Sequence, residues 1–320
     1  MTSRRRGHHR ITLIGLGATI ATTVVVTVAT PSATTASPSP PYVVGLRVAR
    51  FVDMSRRIRV PGHKTEPRPL VTYIRYPAAG TPSAGDAPGA PAVTGQFPLI
   101  VFGHGFAVTP GTYSRLLRAW TRAGYVVAAP VFPLGNANAP GGPDEADIVN
   151  QPADMSFVID QLLAANSVAG GPLSGLIDPA RIAVAGHSDG GETALAVAYA
   201  RPFLDNRVRA AVILSGARIP GVALTFPSGS PPLLATQGTA DRLNPPRFTR
   251  SFYRLAVRPK FLLTLPRAAH LLPYTVQQPQ LGIVERVTIA FLDRYLKNGP
   301  LRPLIVAGVV PGVARLSADP

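Results

Sequence analysis

From residue 42 onward the chain alternates between two hydrophobic patterns. Short runs rich in valine, isoleucine and leucine, with turn residues close by, occupy residues 44–52, 70–76, 99–102, 125–130, 181–185, 208–214, 233–236 and 260–265. Such runs predict β-strands. Longer stretches with helix-like patterning separate most of them: residues 112–123, 152–165, 192–200, 245–256 and 280–297. The first two strands have no helix between them and predict an antiparallel edge. The rest read as strand–helix–strand units around a parallel sheet. The expected fold class is α/β: a mostly parallel, eight-stranded sheet with an antiparallel first pair and helices on both faces. Two connections are long, 78–97 and 133–151. There is no internal repeat. Residues 298–320 read as a tail whose apolar run, 304–310, packs back on the domain.

The N-terminus follows a different pattern. Arg4, Arg5, Arg6 and Arg10 precede an apolar stretch, 11–29, and a Ser/Thr/Pro-rich stretch, 30–41, follows. Charged, then apolar, then small and polar is the order of a secretory signal. Nineteen apolar-leaning residues also suffice for an uncleaved membrane anchor. The chain therefore divides into an export segment and linker (1–41), a main domain (42–297) and a C-terminal tail (298–320). Its expected location is secreted, or held in the cell envelope by residues 11–29.

Composition narrows the chemistry. The 320 residues suit one large α/β domain and not two. The chain has no cysteine, which excludes disulfides, a cysteine nucleophile and cysteine-ligated zinc. The formal net charge is +16 and comes almost wholly from arginine, since Lys64, Lys260 and Lys297 are the only lysines. The arginines are scattered and no aromatic–basic motif accompanies them, so nucleic acid is not an expected partner. A solvated basic surface is the plain reading, and attraction to an anionic envelope surface the alternative. No obligate protein partner is evident. Asp144, Glu145 and Asp147 cluster in the second long connection. They read as a solvated acidic loop, with calcium ligation as the alternative. No zinc or P-loop spacing occurs.

Residues 186–190 read Gly-His-Ser-Asp-Gly, a G-x-S-x-G pattern. It gains weight from its setting, with a strand-like run directly before it and a helix-like run directly after it. Strand, sharp turn and helix are what a nucleophile elbow requires, and flanking glycines keep side chains out of the neighbouring strand and helix. Ser188 is the candidate nucleophile. A serine hydroxyl needs a base, and the only histidine after Ser188 is His270, in a loop beyond the last strand. A histidine base needs an orienting carboxylate. Between Asp205 and Glu285 the only acid is Asp241, also beyond a strand end; a helix N-cap ahead of Pro245 is its alternative role. The order Ser188, Asp241, His270 is that of an α/β-hydrolase triad. A tetrahedral oxyanion needs two backbone N–H donors. Asp189, after the nucleophile, supplies one. The loop Gly103-His104-Gly105-Phe106 supplies the other through Phe106. His104 is then a packing residue beside the hole, and Tyr113 either lines the cleft or belongs to the core.

Together these residues resemble the serine branch of the dienelactone-hydrolase superfamily, in particular its platelet-activating-factor acetylhydrolase-like members. The elements that carry the resemblance are the run Gly45–Arg57, Pro67-Arg68-Pro69-Leu70 with Tyr76-Pro77, residues 97–106, 124–130 and 151–163, and Gly186–Gly191. The resemblance spans about residues 43–296. It implies the α/β-hydrolase fold and a carboxylic-ester hydrolase working without metal or cofactor. It also implies Ser188, Asp241 and His270 as triad, with Phe106 and Asp189 as oxyanion donors. The superfamily's namesake uses a cysteine nucleophile, which this chain lacks. The sequence is also similar to bacterial cutinase-like polyesterases, but Asp189 stands where those have methionine, and the single Trp120 lies elsewhere.

The expected activity is hydrolysis of carboxylic esters, small-molecule or lipid, through an acyl-enzyme. An acyltransferase or amidase on the same triad is the near alternative. A non-catalytic envelope-binding protein with the same fold is the distant one. The short stretch 216–232 leaves no room for a large helical lid.

Overall fold

Strands covered on both faces need apolar side chains at consecutive positions, and the central strands of this protein meet that need. The computed structural model describes residues 41–60, 62, 64–81, 83–218 and 224–320. The expected export segment, residues 1–41 save its last residue, lies outside them. Ten strands form one sheet: β1 (Val43–Ile58), β2 (Glu66–Ala78), β3 (Ala87–Pro88), β4 (Phe97–Gly103), β5 (Val126–Pro130), β6 (Ile177–His187), β7 (Val208–Leu214), β8 (Leu233–Gly238), β9 (Lys260–Leu265) and β10 (Arg315–Asp319). Their order is β10-β9-β8-β7-β6-β4-β5-β2-β1-β3. The six strands β4 to β9 are mutually parallel, and β2 joins them antiparallel to β5. The expected antiparallel first pair is present, with β1 running against β2 from Val43↔Ala78 to Ile58↔Glu66.

The sheet has two strands more than the eight expected. β3 is a two-residue strand within the long connection 78–97, parallel to β1. β10 comes from the C-terminal tail and pairs antiparallel with β9, from Arg315↔Thr264 to Asp319↔Lys260. The apolar run before it forms α6 (Arg302–Ala307), which buries Leu304.

Side-chain alternation along the strands separates two cores. In β4, Leu99 and Val101 face one side and Ile100 and Phe102 the other; in β6, Ile182 and Val184 oppose Ala183 and Ala185. This is the period-two geometry of a pleated strand. The first side is covered by α2 (Gln151–Ser167), α3 (Asp189–Tyr199) and α4 (Arg247–Leu255), through Met155, Val158, Leu195 and Phe252 among others. The second is covered by α1 (Ser114–Arg122), α5 (Gln280–Leu296) and α6. α1 buries Leu116, Leu117, Trp120 and Thr121, and α5 buries Leu281, Val284, Thr288 and Leu292, positions three and four apart that share one helix face. Within 216–232, no helix occurs among the described residues, and 219–223 lie outside them.

The acidic loop departs from expectation. Asp144 caps a 3-10 turn, Glu145–Asn150, by accepting from Ala146 N–H, and Glu145 is exposed. Asp147 is buried and accepts two hydrogen bonds from the buried Arg68 of β2, at 2.9 and 2.6 Å. Arg68 also donates twice to Asp154 of α2, at 2.7 Å each. Asp147 is therefore an internal anchor and not part of a solvated loop. Its partner lies far back in the sequence, which is why local composition misreads it.

Candidate active site

The parallel strands all end on one side of the sheet, where ligand sites of open α/β sheets form. Ser188 follows β6 directly, at φ 56° and ψ −122°. A non-glycine residue in this region is strained, and the neighbours over-determine it. Ser188 N–H donates to Leu214 O at 3.0 Å, and its carbonyl accepts from Gly191, Glu192 and Ala217. The flanking glycines are sterically required. A methyl group on Gly186 would overlap the Gly190 carbonyl, and one on Gly190 would overlap the Gly103 carbonyl.

Asp241 follows β8 and His270 follows β9. Their loops are tied together by Ala240 N–H donating to Ala268 O at 3.0 Å. His270 Nε2 stands 3.0 Å from Ser188 Oγ, and His270 Nδ1 stands 2.8 Å from Asp241 Oδ2. The three side chains expected from the sequence are thus in hydrogen-bonding contact. Asp241 Oδ2 also accepts from Gln237 Nε2 at 3.2 Å, while Oδ1 accepts from the backbone of Leu243 (3.0 Å) and Asn244 (2.9 Å). Burial would raise this carboxyl. The bonds from His270, Asn244 and Gln237 outweigh that and hold it below the ordinary carboxylate value. The alternative role, N-cap of the following helix, does not apply, because α4 starts at Arg247 and its cap position is Pro246.

The loop expected to form the oxyanion hole follows β4. His104 is buried against the Phe132 ring, with centroids 4.9 Å apart. Its Nε2 accepts from Phe132 N–H at 3.0 Å, so the proton sits on Nδ1, which donates to Gly105 O at 2.8 Å. Burial pushes this imidazole down to about 4, against the opposing effect of the Gly105 bond. Both nitrogens are engaged with backbone, leaving none to serve as a base. Because a trans peptide is planar, fixing the Gly105 carbonyl also fixes the N–H of Phe106 on the opposite side of that unit. Phe106 and Asp189 line one cleft with Ser188 and His270. Asp189 opens α3, whose N-terminus favours negative charge beside Ser188. Burial pushes the Asp189 side chain up to about 6, and the charge of Glu145 adds to the rise.

Three contributors were not singled out from the sequence or were left open. Asn244 donates to Ser188 Oγ at 3.3 Å and to Ser215 O at 2.9 Å. His187 lies between Tyr113 and the backbone of His270. Tyr113 is wholly buried yet reaches the cleft, so both of its alternatives hold. The only sequence signal for His187 was its place inside the G-x-S-x-G pattern; Asn244 offered none. The cleft has a volume of about 360 Å³ and mixes apolar walls, Phe106, Val108, Leu243 and Leu271, with Glu145, Asp189 and Asn244. Among the described residues, no cluster of histidine and acidic side chains is arranged to hold a metal ion.

The chain matches the family model described as Chlorophyllase over residues 87–215. That segment is less than half of the chain. It holds the loop Gly103–Phe106 and the turn around Ser188 but neither Asp241 nor His270. Among solved structures, a ferulic acid esterase from Streptomyces cinnamoneus aligns with a TM-score of 0.61 at 22% sequence identity, covering 83% of this chain and 93% of that one. No curated protein matches the chain in sequence. Together with the sheet order, this likeness places the chain in the α/β-hydrolase fold.

Proposed function

We propose that this protein is a serine carboxylic-ester hydrolase that works through an acyl-enzyme, with Ser188, His270 and Asp241 as its triad. The observation that carries the reading is the unbroken line of contacts from Ser188 Oγ through His270 to Asp241, at 3.0 and 2.8 Å. Ser188 attacks the ester carbonyl as His270 Nε2 takes its proton. Asp241 keeps the remaining imidazole proton on Nδ1 and stabilises the imidazolium. The N–H groups of Phe106 and Asp189 receive the oxyanion. Collapse of the intermediate expels the alcohol, which takes its proton from His270. Water then repeats the sequence on the acyl-enzyme, with His270 again as base. Asn244 is directed at Ser188 Oγ as a donor, which favours the alkoxide character that develops during attack.

The cleft supports esters with an apolar acyl or alcohol group that fits between Leu243, Leu271 and Val108. Within the fold, the serine branch of the dienelactone-hydrolase-like enzymes is the branch we favour, on the residues quoted above. Export across the membrane belongs to the same proposal and rests on the charged-then-apolar order of residues 4–29. The test is intact-mass analysis after reaction with a fluorophosphonate. One adduct on the wild type and none on Ser188→Ala, together with turnover of a short-chain p-nitrophenyl ester by the wild type alone, is the expected result. Folded wild-type protein that takes up no probe would overturn the reading.

A further inference from the structure

Two buried polar side chains under the cleft have no part in the mechanism above. Tyr113 closes a 3-10 turn, Pro110–Tyr113, after the oxyanion loop, and it is wholly buried. His187 is the last residue of β6 and is 1% exposed. Their hydrogen bonds are directional. His187 Nε2 lies 2.9 Å from the carbonyl oxygen of His270, and a carbonyl can only accept, so Nε2 carries the proton. Nδ1 is then an acceptor, and Tyr113 Oη, 2.7 Å away, donates to it. Tyr113 Oη in turn accepts from Gly105 N–H at 3.3 Å. Each bond fixes the polarity of the next. The line runs from the oxyanion loop, through Tyr113 and His187, to the backbone of the base.

The packing confines this line closely. The His187 ring stands 4.6 Å from the His270 ring, 5.2 Å from Tyr274 and 5.4 Å from Tyr113, centroid to centroid. A methyl group on Gly105 would come within 3.2 Å of His187 Nδ1, Tyr113 Oη and Ser188 Cβ at once. Charge does not disturb it. Burial pushes the His187 imidazole down to about 3, with the nearby His270 adding to the fall, and burial pushes the Tyr113 hydroxyl up. Both stay neutral at the pH where an ester hydrolase works. The two loops they join follow β4 and β9, which are separated in the sheet by β6, β7 and β8.

We propose that Tyr113 and His187 are positioning residues that hold the oxyanion loop and the backbone of His270 in register on either side of Ser188. The proposal rests on the triad assignment above. Misplacing catalytic groups by a fraction of an ångström acts on the transition state more than on substrate binding, so the effect falls on kcat.

The test is a double-mutant cycle in the full chain with a soluble short-chain ester. Tyr113→Phe should lower kcat by about tenfold or more and leave KM within about twofold. His187→Phe keeps a ring in place but offers neither a donor to the His270 carbonyl nor an acceptor for Tyr113, and should do the same. Because the two act through one line, the double variant should lie within about threefold of the worse single variant. A kcat within about twofold of wild type for either single variant, or effects that simply multiply, would overturn the proposal. Fluorophosphonate labelling separates this from failure of the triad: no adduct on wild type defeats the triad, whereas normal labelling with unaltered variants defeats only the positioning role. Should a variant not fold, the wild type still decides. Its ¹⁵N imidazole shifts should show His187 as the neutral Nε2–H tautomer from about pH 5 to 9. A Nδ1–H tautomer, or titration in that range, would overturn the proposal.

Discussion

Replacing Asp241 by asparagine removes one charge and almost no volume, so its effect can be worked out bond by bond. The carboxylate now accepts four hydrogen bonds: two backbone N–H groups, of Leu243 and Asn244, on Oδ1, and His270 Nδ1 and Gln237 Nε2 on Oδ2. An amide has one oxygen to offer. If that oxygen keeps the two backbone donors, the NH₂ group faces His270 Nδ1, which must then accept, and the imidazole proton moves to Nε2. Nε2 would point that proton at Ser188 Oγ and could no longer take one. If the amide is turned round, its NH₂ faces two backbone donors, and both bonds are lost at about 1–3 kcal/mol each. The first arrangement is preferred, and it holds His270 in the wrong tautomer. Loss of the base and of imidazolium stabilisation should lower kcat by roughly 10³–10⁴-fold, which at about 1.4 kcal/mol per decade is about 4–5.5 kcal/mol of transition-state stabilisation. The assay is initial-rate hydrolysis of a short-chain p-nitrophenyl ester, with a thermal melt alongside. A folded Asp241→Asn protein retaining kcat within about tenfold of wild type would show that Asp241 does not orient the base.

Other expectations follow from the same contacts. Gly190→Ala should abolish fluorophosphonate labelling, because the added methyl meets the backbone of Gly103 and His104; undiminished labelling would mean that the elbow can yield. Arg68→Met should leave Asp147 and Asp154 buried with their main partner gone, although Arg56 still reaches Asp154 at 2.8 Å. Breaking such a pair from one side costs about 3–5 kcal/mol, and a Tm lowered by less than about 3 °C would contradict that. Glu192, 1% exposed in the first turn of α3, has its carboxyl pushed up to about 8 by burial, Arg218 opposing and Asp189 reinforcing the rise. The folded protein therefore keeps a proton that the unfolded chain releases above its ordinary value of 4.5. Stability should accordingly fall as pH rises between these values. Glu192→Gln should flatten that fall in denaturant melts at about pH 5 and pH 8, and identical pH slopes for both proteins would refute the assignment.

What the sequence conveyed depended on how local each requirement is. The central strands were legible because a strand buried on both faces announces itself in its own residues. β3 and β10 were not. β3 is two residues in a Pro- and Gly-rich connection, and β10 reads Arg-Leu-Ser-Ala-Asp, with no β-branched residue. Each is a strand because an edge stands open beside it, β1 in one case and β9 in the other. Asp147 shows the same limit. Its neighbours Asp144 and Glu145 suggest solvent, yet its partner Arg68 is 79 residues away.

The site divides along the same line. Ser188 announces itself through the glycines that its turn needs. His270 and Asp241 emerge by elimination, as the only histidine after Ser188 and the only acid between Asp205 and Glu285. Elimination works when a side-chain type is scarce and the chemistry requires one of it. It has no purchase on Tyr113, one of nine tyrosines, or on Asn244. His187 sits within the motif itself, but its hydrogen-bond partners lie 74 and 83 residues away in opposite directions along the chain. Groups that perform a reaction are constrained by what they are, and so leave a mark in composition and order. Groups that hold those in place are constrained by what stands next to them. That information is created by the fold, which is why it falls to the double-mutant cycle across Tyr113 and His187 to read it.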